Sequence, residues 1–229
     1  MPHKQYSNMS ILQFDGTKND YIEISDSVDF SVVTTGSFTV SAWMRPDVLT
    51  FPISESTGYV HWLGKGETGQ QEWTFRMYNQ TTTDVPPRPN RISFYVFNLD
   101  GHKGVGSYFQ GPVAVGEWIH VVGMADGKET SIYKNGIFQQ SQSYTGIITP
   151  VHGSAPVRIA TRDFNSFFLG AIQGVRVWNR ALAAAEVQSV YANTIPQGGL
   201  VAEYRLEQGI APDSVGFHDG QIVGGTWTT

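Results

Sequence analysis

The sequence has no cysteine among its 229 residues. That excludes disulfides, thiolate metal sites and a cysteine nucleophile, and it carries no signal about redox compartment. Charge is also scarce. Asp, Glu, Lys and Arg make up 15% of the chain, against roughly 25% in average domains. The balance is negative, with 20 acidic and 15 basic residues giving a net charge of −5. A duplex nucleic-acid binder acting by counterion release normally carries a basic surplus, so that partner class is disfavoured. No run of eighteen apolar residues occurs, so no membrane-spanning helix is expected. Residues 1–8 lack the apolar core of a signal peptide, which fits either a protein made without a classical signal or prior trimming. The six histidines show neither HExxH nor another close pair, which speaks against zinc. No GxSxG is present, so serine-nucleophile chemistry has weak support.

What is abundant is glycine, at 25 residues, and aromatic side chains, at 13%. Asp15-Gly16, Asp100-Gly101, Asp126-Gly127, Asn135-Gly136 and Asp219-Gly220 read as tight-turn dipeptides. Between them lie short runs of period two. Phe38, Val40, Ala42 and Met44 share one face of a strand. Trp73, Phe75 and Met77 share another, with Arg76 and Tyr78 opposite. Ile92, Phe94 and Val96 oppose Arg91, Ser93, Tyr95 and Phe97. Such alternation predicts strands. Others are expected at 11–14, 20–24, 106–110, 118–124, 130–134, 137–143, 156–160, 170–178, 200–206 and 221–223. Only 182–192 has helical spacing. The expected fold class is all-β, a two-sheet antiparallel sandwich of the jelly-roll type with one short helix in the C-terminal third. Its expected core includes Phe14, Phe38, Trp43, Trp118, Val122, Ile132, Ile172, Val177 and Leu182. Loops are expected at 49–58 and, with three prolines in four residues, at 81–90.

The segments LQFDGTKNDYIEI, GSFTVSAWMRP, GEWIHVVGMADGKETSIYKNG and FLGAIQGVRVWNRALAAAEVQSVYAN together resemble a laminin-G-like, concanavalin A-like jelly roll of the bacterial branch. The resemblance spans nearly the whole chain, 1–229, as one domain. The C-terminal stretch GLVAEYRLEQGIAPDSVGFHDGQIVGGTW is similar to the segment that normally opens such a domain. It either folds back to complete the sandwich from 198 to 229 or begins a truncated second repeat. Exposed strand edges and the apolar residues Leu200, Val201, Tyr204, Leu206 and Trp227 favour fold-back. The resemblance implies binding more often than catalysis, and an extracellular or cell-surface setting. It includes lectins, adhesion domains, glycosidases and polysaccharide lyases, so the site must decide.

The segment 61–110 is unusually dense in polar and aromatic groups. If its strands are neighbours, one sheet face carries Arg76, Tyr78, Arg91, Tyr95, Tyr108 and Gln110, with Trp62, Lys65, Glu67 and Arg88 on flanking loops. Aromatic faces stack on sugar C–H patches, and arginine pairs with carboxylates or sulfates. Parity alone also allows these side chains to fill the core. Arg162, Asp163, Asn165 and Ser166 form a polar loop that reads as structural, with Ile172, Val175 and Trp178 in the core after it. The paired acids of a glucanase, ExDxxE, are absent; Glu67 and Glu72 are the only glutamates of the segment. A lyase could draw on Arg76, Arg91, Gln110, Tyr95, Tyr108 and His61. Asp15, Asn19 and Asp20, with Asp213 and Asp219, place oxygen donors in two glycine-containing loops, as a structural Ca²⁺ would need; as turn formers they need no metal. The resulting expectation is a lectin-like module for a polysaccharide or glycan with acidic groups, the rival being a lyase on the same face. A protein-adhesion domain stands third.

Overall fold

The computed structural model describes residues 11–34, 36–79, 87–206 and 210–228. Most of the proline-rich loop expected at 81–90 lies outside the described residues. In chain order the elements are β1 (Ile11–Asp15), β2 (Tyr21–Ile24), β3 (Phe38–Pro46), β4 (Tyr59–Lys65), β5 (Trp73–Tyr78), β6 (Ile92–Phe97), β7 (Gly104–Phe109) and β8 (Ile119–Ala125). They continue with β9 (Glu129–Lys134), β10 (Ile137–Ser143), β11 (Val157–Ile159), β12 (Leu169–Trp178), α1 (Ala184–Tyr191), β13 (Leu200–Tyr204), β14 (Gly220–Val223) and β15 (Thr226–Thr228). Among the described residues no helix is long and apolar enough to cross a membrane.

The strands form two antiparallel sheets. One runs β10-β9-β8-β3-β12-β1-β15, with β13 also paired to β12; the other runs β14-β2-β11-β4-β5-β6-β7. This is the two-sheet sandwich that the alternation predicts. The central strands turn alternate side chains inward, and the two sets meet in one apolar core. Phe14, Ile22, Phe38, Val40, Trp62, Trp73, Phe75, Phe94, Ile132, Ile172 and Val177 lie in it. Burying a large apolar side chain is worth about 1.5–3 kcal/mol, so this core is the main source of stability.

A second, smaller cluster lies outside the first sheet. Val122, Trp178, Leu182, Val187 and Val190 pack there beneath α1. Glu186 begins that helix by accepting the Ala183 N–H at 2.9 Å and pairing with Arg180. Trp43 also points to this side, with its ring 5.6 Å from that of Tyr191. Trp43, Val122 and Leu182 are therefore buried but not between the sheets. Trp118, expected in the core, is only half-buried and lies under Arg45, 5.3 Å from its ring centre.

Two local expectations need correction. Residues 59–65 form a central strand, although no alternation marks them. The register shifts between His61 and Leu63, so Val60, Trp62 and Leu63 all reach the core; an extra residue in one strand breaks period two. Asp219-Gly220 is not a hairpin turn; Gly220 opens β14 and pairs with Ile24. By contrast, Asn135 and Gly136 both have positive φ, 52° and 78°, as a tight hairpin between β9 and β10 requires.

The C-terminal stretch folds back onto both sheets. β13 lies on β12, β14 on β2 and β15 on β1. Ala202, Tyr204 and Leu206 thereby enter the main core.

Candidate functional site

Strands β4 to β7 lie side by side at one end of the second sheet. Trp73, Phe75, Met77, Ile92, Phe94 and Val96 point into the core. The opposite parity therefore faces outward, and the arginines and tyrosines of the segment do not fill the space between the sheets.

On that outer face they form a ladder. Arg76 on β5 has His61 of β4 and Ser93 of β6 as its cross-strand partners. Its guanidinium carbon sits 3.9 Å from the ring centres of both Tyr59 and Tyr95. Arg88 lies 4.4 Å over the Tyr78 ring and donates to the hydroxyls of Tyr78 at 3.2 Å and Tyr59 at 3.4 Å. Arg91 lies 4.0 Å over Tyr108 and donates twice to Gln110 Oε1, at 3.0 and 2.9 Å. Each cation–π contact is worth about 0.5–2 kcal/mol, more where water is excluded. The glycines of β7 make room for this layer. A Cβ on Gly106 would lie 2.1 Å from the Tyr95 ring, and one on Gly104 would lie 2.4 Å from Phe97. Rings can thus lie flat against the sheet.

Arg76, Arg88, Arg91, Tyr95 and Tyr108 remain half-buried and Gln110 is exposed. The face therefore presents cations and ring surfaces to solvent. Burial pulls the Arg76 guanidinium below its ordinary value, against the pull of Tyr59 and Tyr95. Beyond Tyr108 the face opens into a groove of about 340 Å³ lined by Tyr108, Gln110, Gln139 and Gln140.

Three of the expected ligand contacts are placed elsewhere. Trp62 is fully buried and stacks on Phe75 at 4.6 Å, on the inward parity that it shares with Val60. Lys65 is on β4 rather than a loop and fully buried; it is neutralised by Glu72 and by Asp26 at 2.8 Å. Tyr78 is 1% exposed, beneath Arg88, and so supports the ladder from below. Glu67 is spent on Arg158.

Behind the ladder stands a wall that the sequence reading did not assemble. His61 is buried; its Nε2 lies 2.9 Å from Glu55 Oε1 and its Nδ1 2.7 Å from Thr74 Oγ1. Burial, with Arg162 nearby, lowers His61 to about 4. Burial alone would raise Glu55, but the His61 hydrogen bond and the charge of Arg162 outweigh it and hold the carboxyl at about 2. Arg162 bonds Gln71 at 3.0 Å and Asp163 at 2.6 Å. This agrees with a loop-holding role, although the pair is buried rather than exposed. A cleft of about 470 Å³ between Glu55, Thr57 and Asn165 lies alongside. Tyr59 and Glu55 are not among the expected ligand residues; Tyr59 shares the outward parity of His61, and Glu55 comes from the loop before β4.

The five oxygen donors expected for Ca²⁺ do not converge. Asp15 and Asp20 meet in the turn before β2, where Asp20 accepts the Asp15 N–H at 2.6 Å. Asp213 and Asp219 lie at the other end of β2, roughly 10 Å of strand away, where β14 begins beside Ile24. Asp213 accepts backbone N–H groups of Glu203, Val215 and His218. No acidic or histidine trio among the described residues is placed to hold a metal.

Comparison with known proteins matches this geometry to a fold. A laminin-G family model, described as the concanavalin A-like lectin/glucanases superfamily, matches residues 15–188. A structure of a proposed carbohydrate-binding protein from Bacteroides ovatus superposes with a TM-score of 0.64 at 20% identity, covering 96% of this chain. This chain spans 60% of that protein's length. A heptameric SAP-like pentraxin from Limulus polyphemus gives 0.61 at 14% identity, with 94% of each chain covered. The receptor-binding domain of botulinum neurotoxin type G gives 0.53 at 15% identity over 78% of this chain and 41% of the toxin chain. No curated sequence matches. At these identities the superpositions show a shared fold.

Proposed function

This chain belongs to the concanavalin A-like lectin/glucanase superfamily, and from that premise we propose that it is a carbohydrate-binding module. The ligand is a polysaccharide or glycan with acidic groups, and it lies on the outer face of β4 to β7. The observation that carries this is the ladder of Arg76, Arg88 and Arg91 interleaved with Tyr59, Tyr78, Tyr95 and Tyr108. The half-buried rings of Tyr95 and Tyr108 offer apolar surface to sugar rings, the buried Tyr59 and Tyr78 support them, and guanidinium groups offer directed charge-assisted bonds. The Bacteroides ovatus neighbour, named for carbohydrate binding, supports the same class.

Binding is favoured over a lyase reaction by the state of His61. A general base must come within hydrogen-bond reach of the proton it removes. His61 is 1% exposed, and both ring nitrogens face Glu55 and Thr74. Screening a glycan array and then incubating each hit with the protein tests the proposal. A glycan that is retained and not cleaved supports a module. Growth of ultraviolet absorbance from an unsaturated product would instead establish a lyase. Binding only to a protein partner would establish an adhesion domain.

A further inference from the structure

Among the arginines of the outer face, Arg76 has the most closely defined surroundings. Tyr59 comes from the strand on one side of it and Tyr95 from the strand on the other. Both ring centres lie 3.9 Å from the guanidinium carbon, one van der Waals layer away. Arg158, Arg162, Arg176 and Arg180 are each paired with a carboxylate. Among the described residues Arg76 is in no ion pair, and its buried Nε has no hydrogen-bond partner. The neighbouring acid, Glu55, is already engaged by Arg162 and His61.

We propose that the space at Arg76 between the Tyr59 and Tyr95 rings is a flat slot for a carboxylate, so that the bound glycan carries uronate-type carboxylates rather than sulfate esters. This rests on the glycan-binding proposal above. A guanidinium is a planar fork, and it binds a carboxylate best with two parallel N–H···O bonds in a common plane. Tyr59 and Tyr95 flank the guanidinium carbon at 3.9 Å, which confines an approaching group to the narrow space between the two rings. A carboxylate is itself planar, so it enters edge-on and gains ring contact on both sides. A sulfate ester is tetrahedral. With two oxygens in the plane of the fork, its remaining oxygens project out of that plane, and the narrow space between the rings has less room for them. Arg76 keeps partial solvent exposure, so a ligand can reach the residue from outside.

The test measures binding of the intact protein to hyaluronan, alginate and polygalacturonate, each beside its carboxyl-reduced form, with dextran sulfate and dextran as references. At least one uronate polymer is expected to bind and to weaken about tenfold or more on carboxyl reduction, as the loss of a charge-assisted pair requires. Dextran sulfate is expected to bind no better than dextran. Weakening of less than tenfold on reduction, or dextran sulfate binding as tightly as the uronate polymer, overturns the slot and leaves glycan binding standing. Binding of none of these polymers overturns the slot; silence on the full glycan array as well would overturn the parent proposal. Arg76→Lys keeps the charge and removes the planar fork. It should lose the preference for the carboxylate polymer over its reduced form, and an unchanged preference contradicts the slot.

Discussion

His61 holds its Nε2 2.9 Å from Glu55 Oε1 while its ring is shut away from solvent. The imidazole is neutral there, since burial lowers it to about 4. His120, buried beneath α1 between Trp43 and Tyr191, is lowered by burial to about 3. In the unfolded chain both would titrate near 6.5. As pH falls below that value the unfolded state takes up protons that the folded state refuses. Stability is therefore full above about 6.5 and is lost as pH falls toward 4, by up to about 3 kcal/mol per histidine. Urea denaturation from pH 7 to pH 4 should show this decline, and His120→Phe should flatten it. An equal slope in the variant would contradict the assignment.

Asp20 acts in the opposite direction in the same range. Burial, then the charge of Asp15, raises its carboxyl to about 6. Its ionisation costs stability above that pH, and the cost disappears as pH falls toward 4. Asp20→Asn, which keeps an acceptor for the Asp15 N–H, is expected to stabilise the protein at pH 7. The gain is about 1–2 kcal/mol once solvent screening is allowed for, and it should vanish by pH 4. Excess EDTA should leave the melting temperature unchanged. A fall in melting temperature that Asp20→Asn abolishes would show that this turn does hold a cation.

Lys65 and Glu72 form a buried ion pair where β4 meets β5; Asp26 reaches the same ammonium from the surface, and Lys65 also donates to the Gly153 carbonyl at 2.6 Å. Removing one member leaves a buried carboxylate without its cation. Lys65→Met is expected to cost about 3–5 kcal/mol, and Lys65→Met with Glu72→Gln substantially less. Equilibrium unfolding of the two variants checks this. Equal losses would mean that the pair does not act as a pair.

Much of this molecule was legible in its sequence because strands alternate. Trp73, Phe75 and Met77 against Arg76 and Tyr78 gave the faces of β5, and the core residues then settled which face is inside. The bulge in β4 was not legible. Alternation from Val60 already puts Trp62 inside; the extra residue puts Leu63 inside as well and brings Lys65 opposite Trp73, and no propensity marks it. Lys65 was read as a loop cation because its partners Asp26 and Gly153 are distant in sequence. The acids Asp15, Asp20, Asp213 and Asp219 gave a plausible metal donor list. Only the pairing of β14 with β2 shows that they lie at opposite ends of one strand.

The C-terminal strands carry a further prediction. Deleting everything after Asn193 removes β13, β14 and β15, which exposes an edge of β12, of β1 and of β2. Tyr204 and Leu206 would leave the core as well. The truncated chain is expected to lose cooperative unfolding and to aggregate. Circular dichroism and a melting curve check this, and a soluble truncation that melts like the full chain would contradict it.

The most direct test of ligand binding on the β4 to β7 face is an NMR titration of isotope-labelled protein with the tightest glycan from the array. Shift changes are predicted to concentrate at Arg76, Arg91, Tyr95, Tyr108 and Gln110, and to fade across the α1 side of the other sheet. Changes confined to that side, or to the loop between Asp213 and Asp219, with the arginine–tyrosine ladder unmoved, would place the ligand elsewhere and contradict the proposal.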